Sequence, residues 1–202
     1  MNTADASLGR LLSSLADALR EEAAETQAFD RFLRDLLVDG QPYARVAQGS
    51  SLWKTARQKR LTGSNFGTAA GCSPFCTPRS LWQYQCGHLV EPDGVQRAWS
   101  GNDNTERGTQ NEPSVVAAYC RLTGNAVEPA GLFLHPQHEF LAASPDGMLA
   151  GGGLLEVKNP RKLHESVPLH YLCQVQGQLA CSGREWAHFF SFSTDERGGA
   201  WK

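Results

Sequence analysis

The stretch Gly153-Leu154-Leu155-Glu156-Val157-Lys158 sets the tightest limit on what this chain can become. Its apolar density suits a strand covered on both faces, as in a parallel or mixed sheet flanked by helices. Two charges interrupt the run, and strand alternation puts Glu156 and Lys158 on one face, with backbones roughly 7 Å apart. Charges inside a buried strand need a partner or a metal. A lone Glu-x-Lys is in most cases a solvent-facing ion pair of small worth, and Pro145-Asp146-Gly147 is by itself an ordinary turn sequence. Together they say more. Asp146 precedes Glu156 by ten residues, so a neighbouring strand or turn can bring both carboxylates to one cation. Lys158 then lies close enough to orient a water or stabilise developing negative charge.

The rest of the chain supplies the layers such a strand requires. Leu8, Leu11, Leu12, Leu15 and Leu19 follow a helical period, and Phe29, Phe32, Leu33, Leu36 and Leu37 repeat it, which predicts two opening amphipathic helices. Asp39-Gly40-Gln41-Pro42 breaks the pattern and marks the joint between a helical segment, 1–42, and a main domain, 43–202. A short helix is expected over 64–70. Thr77-Pro78 caps another that ends at Gly87, and a longer one runs from Asn104 to Thr123 with Gly124 as its stop and Pro113 as a kink or late start. Short apolar runs at 126–127, 132–134, 140–142, 154–157 and 186–192 read as strands, and Leu172, Val175 and Leu179 place a helix over 171–181. The order predicts an α/β or α+β core, a mixed sheet flanked by helices.

Composition excludes some functions. No apolar run reaches the roughly 18 residues of a membrane span, and the N-terminus lacks a secretory signal, so an intracellular location is expected. The six cysteines accordingly read as reduced thiols. Cys72, Cys76, Cys86 and His88 lack the paired knuckles of common zinc sites, which leaves a zinc-binding interaction domain as a minor alternative. Residues 1–40 hold eight acids and four bases, and the remaining 162 hold thirteen acids and fifteen bases. Any nucleic-acid contact is therefore local, the best basic run being Lys54, Arg57, Lys59 and Arg60 beside Trp53.

Pro145-Asp146 followed by Glu156-x-Lys158 resembles the PD-(D/E)xK nucleases. Further blocks narrow the resemblance to the lambda-exonuclease and YqaJ-type viral recombinase family, over about residues 48–192. These blocks are Trp53-Lys54-Thr55-Ala56-Arg57 with Leu61-Thr62-Gly63-Ser64, Gly108-x3-Glu112, Ser144 before Asp146, and Tyr171-x2-Gln174-x-Gln176. The resemblance implies a restriction-endonuclease-like core and a catalytic set of Glu112, Asp146, Glu156 and Lys158. It implies Mg2+, with Mn2+ as a substitute, on Glu112, Asp146, Glu156 and the carbonyl of Val157. Arg57, Ser64 and Ser144 would hold a 5′-terminal phosphate, with Trp53 and Gln174 as further DNA contacts, whereas Gln176 and Gln178 carry little expectation. The implied activity is digestion of the 5′-ended strand of duplex DNA to leave 3′ overhangs for recombination or repair. Double-stranded DNA ends, a single-strand annealing protein and a homotrimeric ring are the implied partners, with no membrane. An endonuclease of the same superfamily is the alternative enzyme, and a catalytically silent module that binds DNA ends or a partner is the alternative from another class.

Overall fold

A computed structural model of the chain describes residues 3–37, 46–58, 60–86, 103–193 and 200–201. Two compact units divide it, Met1–Gln41 and Pro42–Lys202. The first is one continuous helix, α1 (Thr3–Leu37), of 35 residues, where the two apolar stripes predicted two. Residues 20–28 contain neither glycine nor proline and are mostly good helix formers, so the backbone continues where the stripe lapses.

The second unit runs α2 (Ser51–Gln58), β1 (Leu61–Thr62), α3 (Gly63–Ala69), α4 (Pro78–Gln85), α5 (Asp103–Thr123), β2 (Val127–Glu128), β3 (Phe133–Leu134), β4 (Leu141–Ala143), β5 (Gly147–Leu149), β6 (Leu154–Lys158), α6 (Leu169–Ser182), β7 (Ala187–Ser193) and β8 (Ala200–Trp201). Local chemistry accounts for several ends. The Thr77 hydroxyl accepts the Ser80 N–H at 3.1 Å, and Pro78 occupies the first turn of α4, where its missing N–H costs nothing. α5 passes through Pro113 without the late start the proline suggested and stops before Gly124, at φ +73°. α6 ends on Gly183 in the left-handed region, whose N–H donates to Leu179 O.

The strands form two sheets, one ordered β1-β4-β3 and the other β2-β5-β6-β7-β8. The second is mixed: β6 pairs antiparallel with β5 and parallel with β7. A parallel pair needs a crossover, which α6 supplies. Between β5 and β6, Gly151 and Gly152 take φ of +79° and +86°, and Leu149 N–H donates to Gly153 O at 2.9 Å.

β6 is buried along nearly its whole length, and alternation divides its side chains. Leu155 and Val157 join Val115, Ala118 and Tyr119 of α5 with Leu149 and Phe190 in one core. Glu156 and Lys158 instead face α6, as Glu156's hydrogen bonds to Gln174 and Gln178 show. Two glycines bring α6 down onto α3. A Cβ on Gly67 would stand 2.7 Å from the His170 backbone, and one on Gly177 would run into the Phe66 ring.

Candidate active site

Asp146 stands one residue before β5, and the Gly147–Leu155 register carries it alongside Glu156. The segment is no solvent turn. Pro145 is fully buried, its carbonyl accepts the Gln48 side-chain amide at 2.7 Å, and a Cβ on Gly147 would collide with Val127. Backbone fixes the acid further: Asp146 N–H donates to Leu155 O at 3.0 Å, and Val157 N–H donates to Asp146 Oδ2 at 2.7 Å.

Glu156 is 1% exposed, and a carboxylate so placed must be held by donors. Lys158 Nζ and Gln174 Nε2 both donate to Oε1, the amide at 2.7 Å. Gln178 Nε2 donates to Oε2 at 2.5 Å. Lys158 also lies 4.9 Å above the Tyr171 ring, a cation–π contact. Glu112, half-buried on α5, completes the group. Burial first, and Glu156 second, push the Glu112 carboxyl above its usual range, with Lys158 acting against them. The same two causes raise Asp146 further, and Glu112 adds to them. Burial acts to lower Lys158, but Glu156 and Asp146 outweigh it and hold the ammonium above the usual lysine range. Beside these carboxylates the Lys158 ammonium is placed to stabilise negative charge.

The donor set suits a hard divalent cation. Three carboxylates face one ammonium, their mutual repulsion raises two of them, and carboxylate oxygen is the ligand that Mg2+ and Mn2+ prefer. Val157 is the only hydrogen-bond partner of the Asp146 carboxylate among the described residues, so that group retains acceptor capacity. The cage is not closed: among the described residues no three His, Cys, Asp or Glu side chains stand as a ready metal-binding group. Lys158, Gln174 and Gln178 hold Glu156 instead. The residues fit in type and charge.

A second cluster adjoins Ser144. Trp53 Nε1 donates to Ser144 Oγ at 2.7 Å, and the Arg57 guanidinium lies 4.2 Å over the Trp53 ring. Arg57 also reaches Thr62 Oγ1 at 3.4 Å, and burial lowers its pKa. Trp53, Arg57 and Ser144 are thus one assembly. Ser64 is exposed in the first turn of α3, and Thr62 takes the N-cap position. Arg60 corrects the basic-run expectation. It is 5% exposed and donates to Glu139 O at 2.8 Å and Ala56 O at 2.6 Å, so it ties α2 to the loop before β4. Lys54 is exposed, and Lys59 lies outside the described residues.

Gln178 is the residue that sequence reasoning underrated. It is fully buried against Glu156, and its i, i+4 spacing from Gln174 was the available signal. Gln176 is exposed. Of the zinc set, Cys72, Cys76 and Cys86 are free thiols, and His88 lies outside the described residues. Among those residues no helix is long and apolar enough to cross a membrane.

Comparison with known proteins identifies the fold and the family. An alkaline exonuclease from Laribacter hongkongensis superposes with a TM-score of 0.59 at 27% identity, over 76% of this chain and 80% of that one. The structure of the same enzyme in complex with dAMP gives 0.56 at 28% identity, over 73% and 75%. The fold is that of the PD-(D/E)xK nucleases. An uncharacterised protein of Acanthamoeba polyphaga mimivirus is 26% identical over 169 residues, which is 74% of this chain and only 30% of the viral protein. The profile of the YqaJ-like viral recombinase domain matches residues 52–185, and with most of its second unit inside that match the chain belongs to this family.

Proposed function

We propose that the chain is a metal-dependent DNA exonuclease that degrades the 5′-ended strand of linear duplex DNA, leaving 3′ overhangs for recombination or repair. The observation that carries this reading is the grouping of Asp146, Glu156 and Glu112 around Lys158, with Asp146 beside Glu156 across the β5–β6 pair and the ammonium hydrogen-bonded to Glu156. Similarity to an alkaline exonuclease supports it. Asp146, Glu156, Glu112 and the Val157 carbonyl would hold Mg2+, or Mn2+ in its place, which when bound compensates phosphate charge and makes a water acidic. Lys158 donates to the incoming water or to a phosphate oxygen and stabilises charge there. Gln174 spends one amide proton on Glu156 and keeps a second for phosphate or water. Arg57 grips the terminal phosphate in bidentate fashion, as a planar guanidinium does best. Ser144 accepts from Trp53, which leaves its own O–H to donate to that phosphate, and Ser64 adds a second hydroxyl. Duplex ends are the substrate; a three-chain ring and a single-strand annealing partner complete the proposal.

The test is a digestion time course on end-labelled duplexes with and without 5′ phosphate, in Mg2+ or chelator, beside covalently closed DNA. Loss of the 5′-ended strand only in Mg2+, faster with phosphate and absent on closed circles, is expected. Arg57→Ala should erase the phosphate preference while leaving metal binding intact. Cutting of closed circles would overturn the exonuclease reading in favour of an endonuclease. One observation favours the silent module: donors already reach both Glu156 oxygens, and no ready cage exists among the described residues. Retained binding to duplex ends with no cleavage in any divalent cation would favour it over the enzyme.

A further inference from the structure

Gln178 lies outside the Tyr171-x2-Gln174-x-Gln176 pattern, yet it is 0% exposed and its Nε2 is the sole partner of Glu156 Oε2 among the described residues. The other oxygen is saturated, since Lys158 and Gln174 both donate to Oε1 and a carboxylate oxygen has two acceptor sites. Only Oε2 retains a lone pair, and Gln178 determines where it points. The fold accepts a penalty for this arrangement, because the Gln178 Oε1 atom is buried without a partner. A smaller apolar side chain would avoid that cost. Both glutamine stems pack against Gly63 of α3, where even a Cβ would stand at ordinary contact distance, 3.7 Å from Gln178 Cγ and 3.8 Å from Gln174 Cγ. The amide is also neutral, so it holds the carboxylate without competing with a cation for its charge.

We propose that Gln178 is a positioning residue, which orients Glu156 so that Oε2 presents its remaining lone pair to a divalent cation. This rests on the exonuclease reading. The test uses the full chain and its Gln178→Met variant, which keeps the length of the side chain and donates nothing. Calorimetry without DNA reads Mn2+ affinity, and cleavage of end-labelled duplex gives kcat and KM at saturating Mn2+. A folded variant should bind Mn2+ roughly 10- to 100-fold more weakly, with kcat lowered and KM for DNA unchanged. Wild-type affinity and kcat in that variant would overturn the assignment. If the variant does not fold, 15N NMR of the wild-type chain decides: the Gln178 side-chain amide should exchange slowly and shift on Mg2+ addition, and an amide unmoved by saturating Mg2+ overturns the role. A wild-type chain that neither binds Mn2+ nor cuts DNA overturns both readings, whereas one that does both beside an indifferent variant removes Gln178 alone.

Discussion

Lys158→Met removes the one cation from a group of three acids. Deleting one member of a buried ion pair costs about 3–5 kcal/mol, because the remaining charge stays in the interior uncompensated. Two features place this variant at the lower end. The Lys158 side chain keeps 23% exposure, and Glu156 retains the amides of Gln174 and Gln178. A loss of about 3 kcal/mol in a domain of this size lowers the melting temperature by about 6–12 °C. The measurement is thermal unfolding in chelator, for the wild type, Lys158→Met, Glu156→Gln and the double variant. Removing the carboxylate charge as well should recover most of the loss, and added Mg2+ should recover part of it in the single variant. A Lys158→Met protein that melts with the wild type in chelator would mean that ammonium and carboxylate do not depend on each other. The account of Lys158 as the compensating charge would then be wrong.

Gly67→Ala should destabilise the chain by about 1–3 kcal/mol through overpacking and reduce cleavage, since α6 carries Gln174 and Gln178; unchanged melting would show that the α3–α6 contact has slack. Asp146 and Glu112 titrate above their usual range in the folded chain, so the folded state holds protons that the unfolded state releases. In chelator, stability should fall as pH rises from the ordinary carboxylate range through the raised values, and Asp146→Asn should flatten the slope; equal slopes count against the cluster. Arg60→Met should cost about 1.5–3 kcal/mol from lost charged hydrogen bonds without changing the salt dependence of DNA binding. Lys54→Ala should instead reduce that slope by about one if it contacts phosphate.

The strand that carries the chemistry was legible because its charges sit in an apolar run, a conflict that only a specific environment resolves. α4 and α6 were equally plain, one from a capping threonine and proline, the other from apolar spacing. β1, β5 and β8 span two or three residues, too few for any periodicity. β5 was further disguised, because Pro145-Asp146-Gly147 has the composition of a turn while burial and a close backbone approach make it part of the sheet. The opening helix was divided in two because an apolar stripe reports what a helix faces and not where its backbone ends. Among the basic residues, nothing in the sequence separates buried Arg60 from exposed Lys54. Gln178 was passed over because its i, i+4 spacing from Gln174 shows a shared helix face and not the carboxylate which that face meets.

The hairpin between Leu149 and Leu154 has a consequence for how the chain tolerates change. Adjacent residues of β6 serve opposite faces, oily packing against α5 and charge beneath α6. Sliding the strand by a single residue would thrust Glu156 and Lys158 into the oily layer and turn Leu155 and Val157 toward the glutamines. Errors at the paired glycines should therefore yield misassembled chains rather than intact but inactive ones, so that surviving sequence variants keep loop length even where they change loop residues.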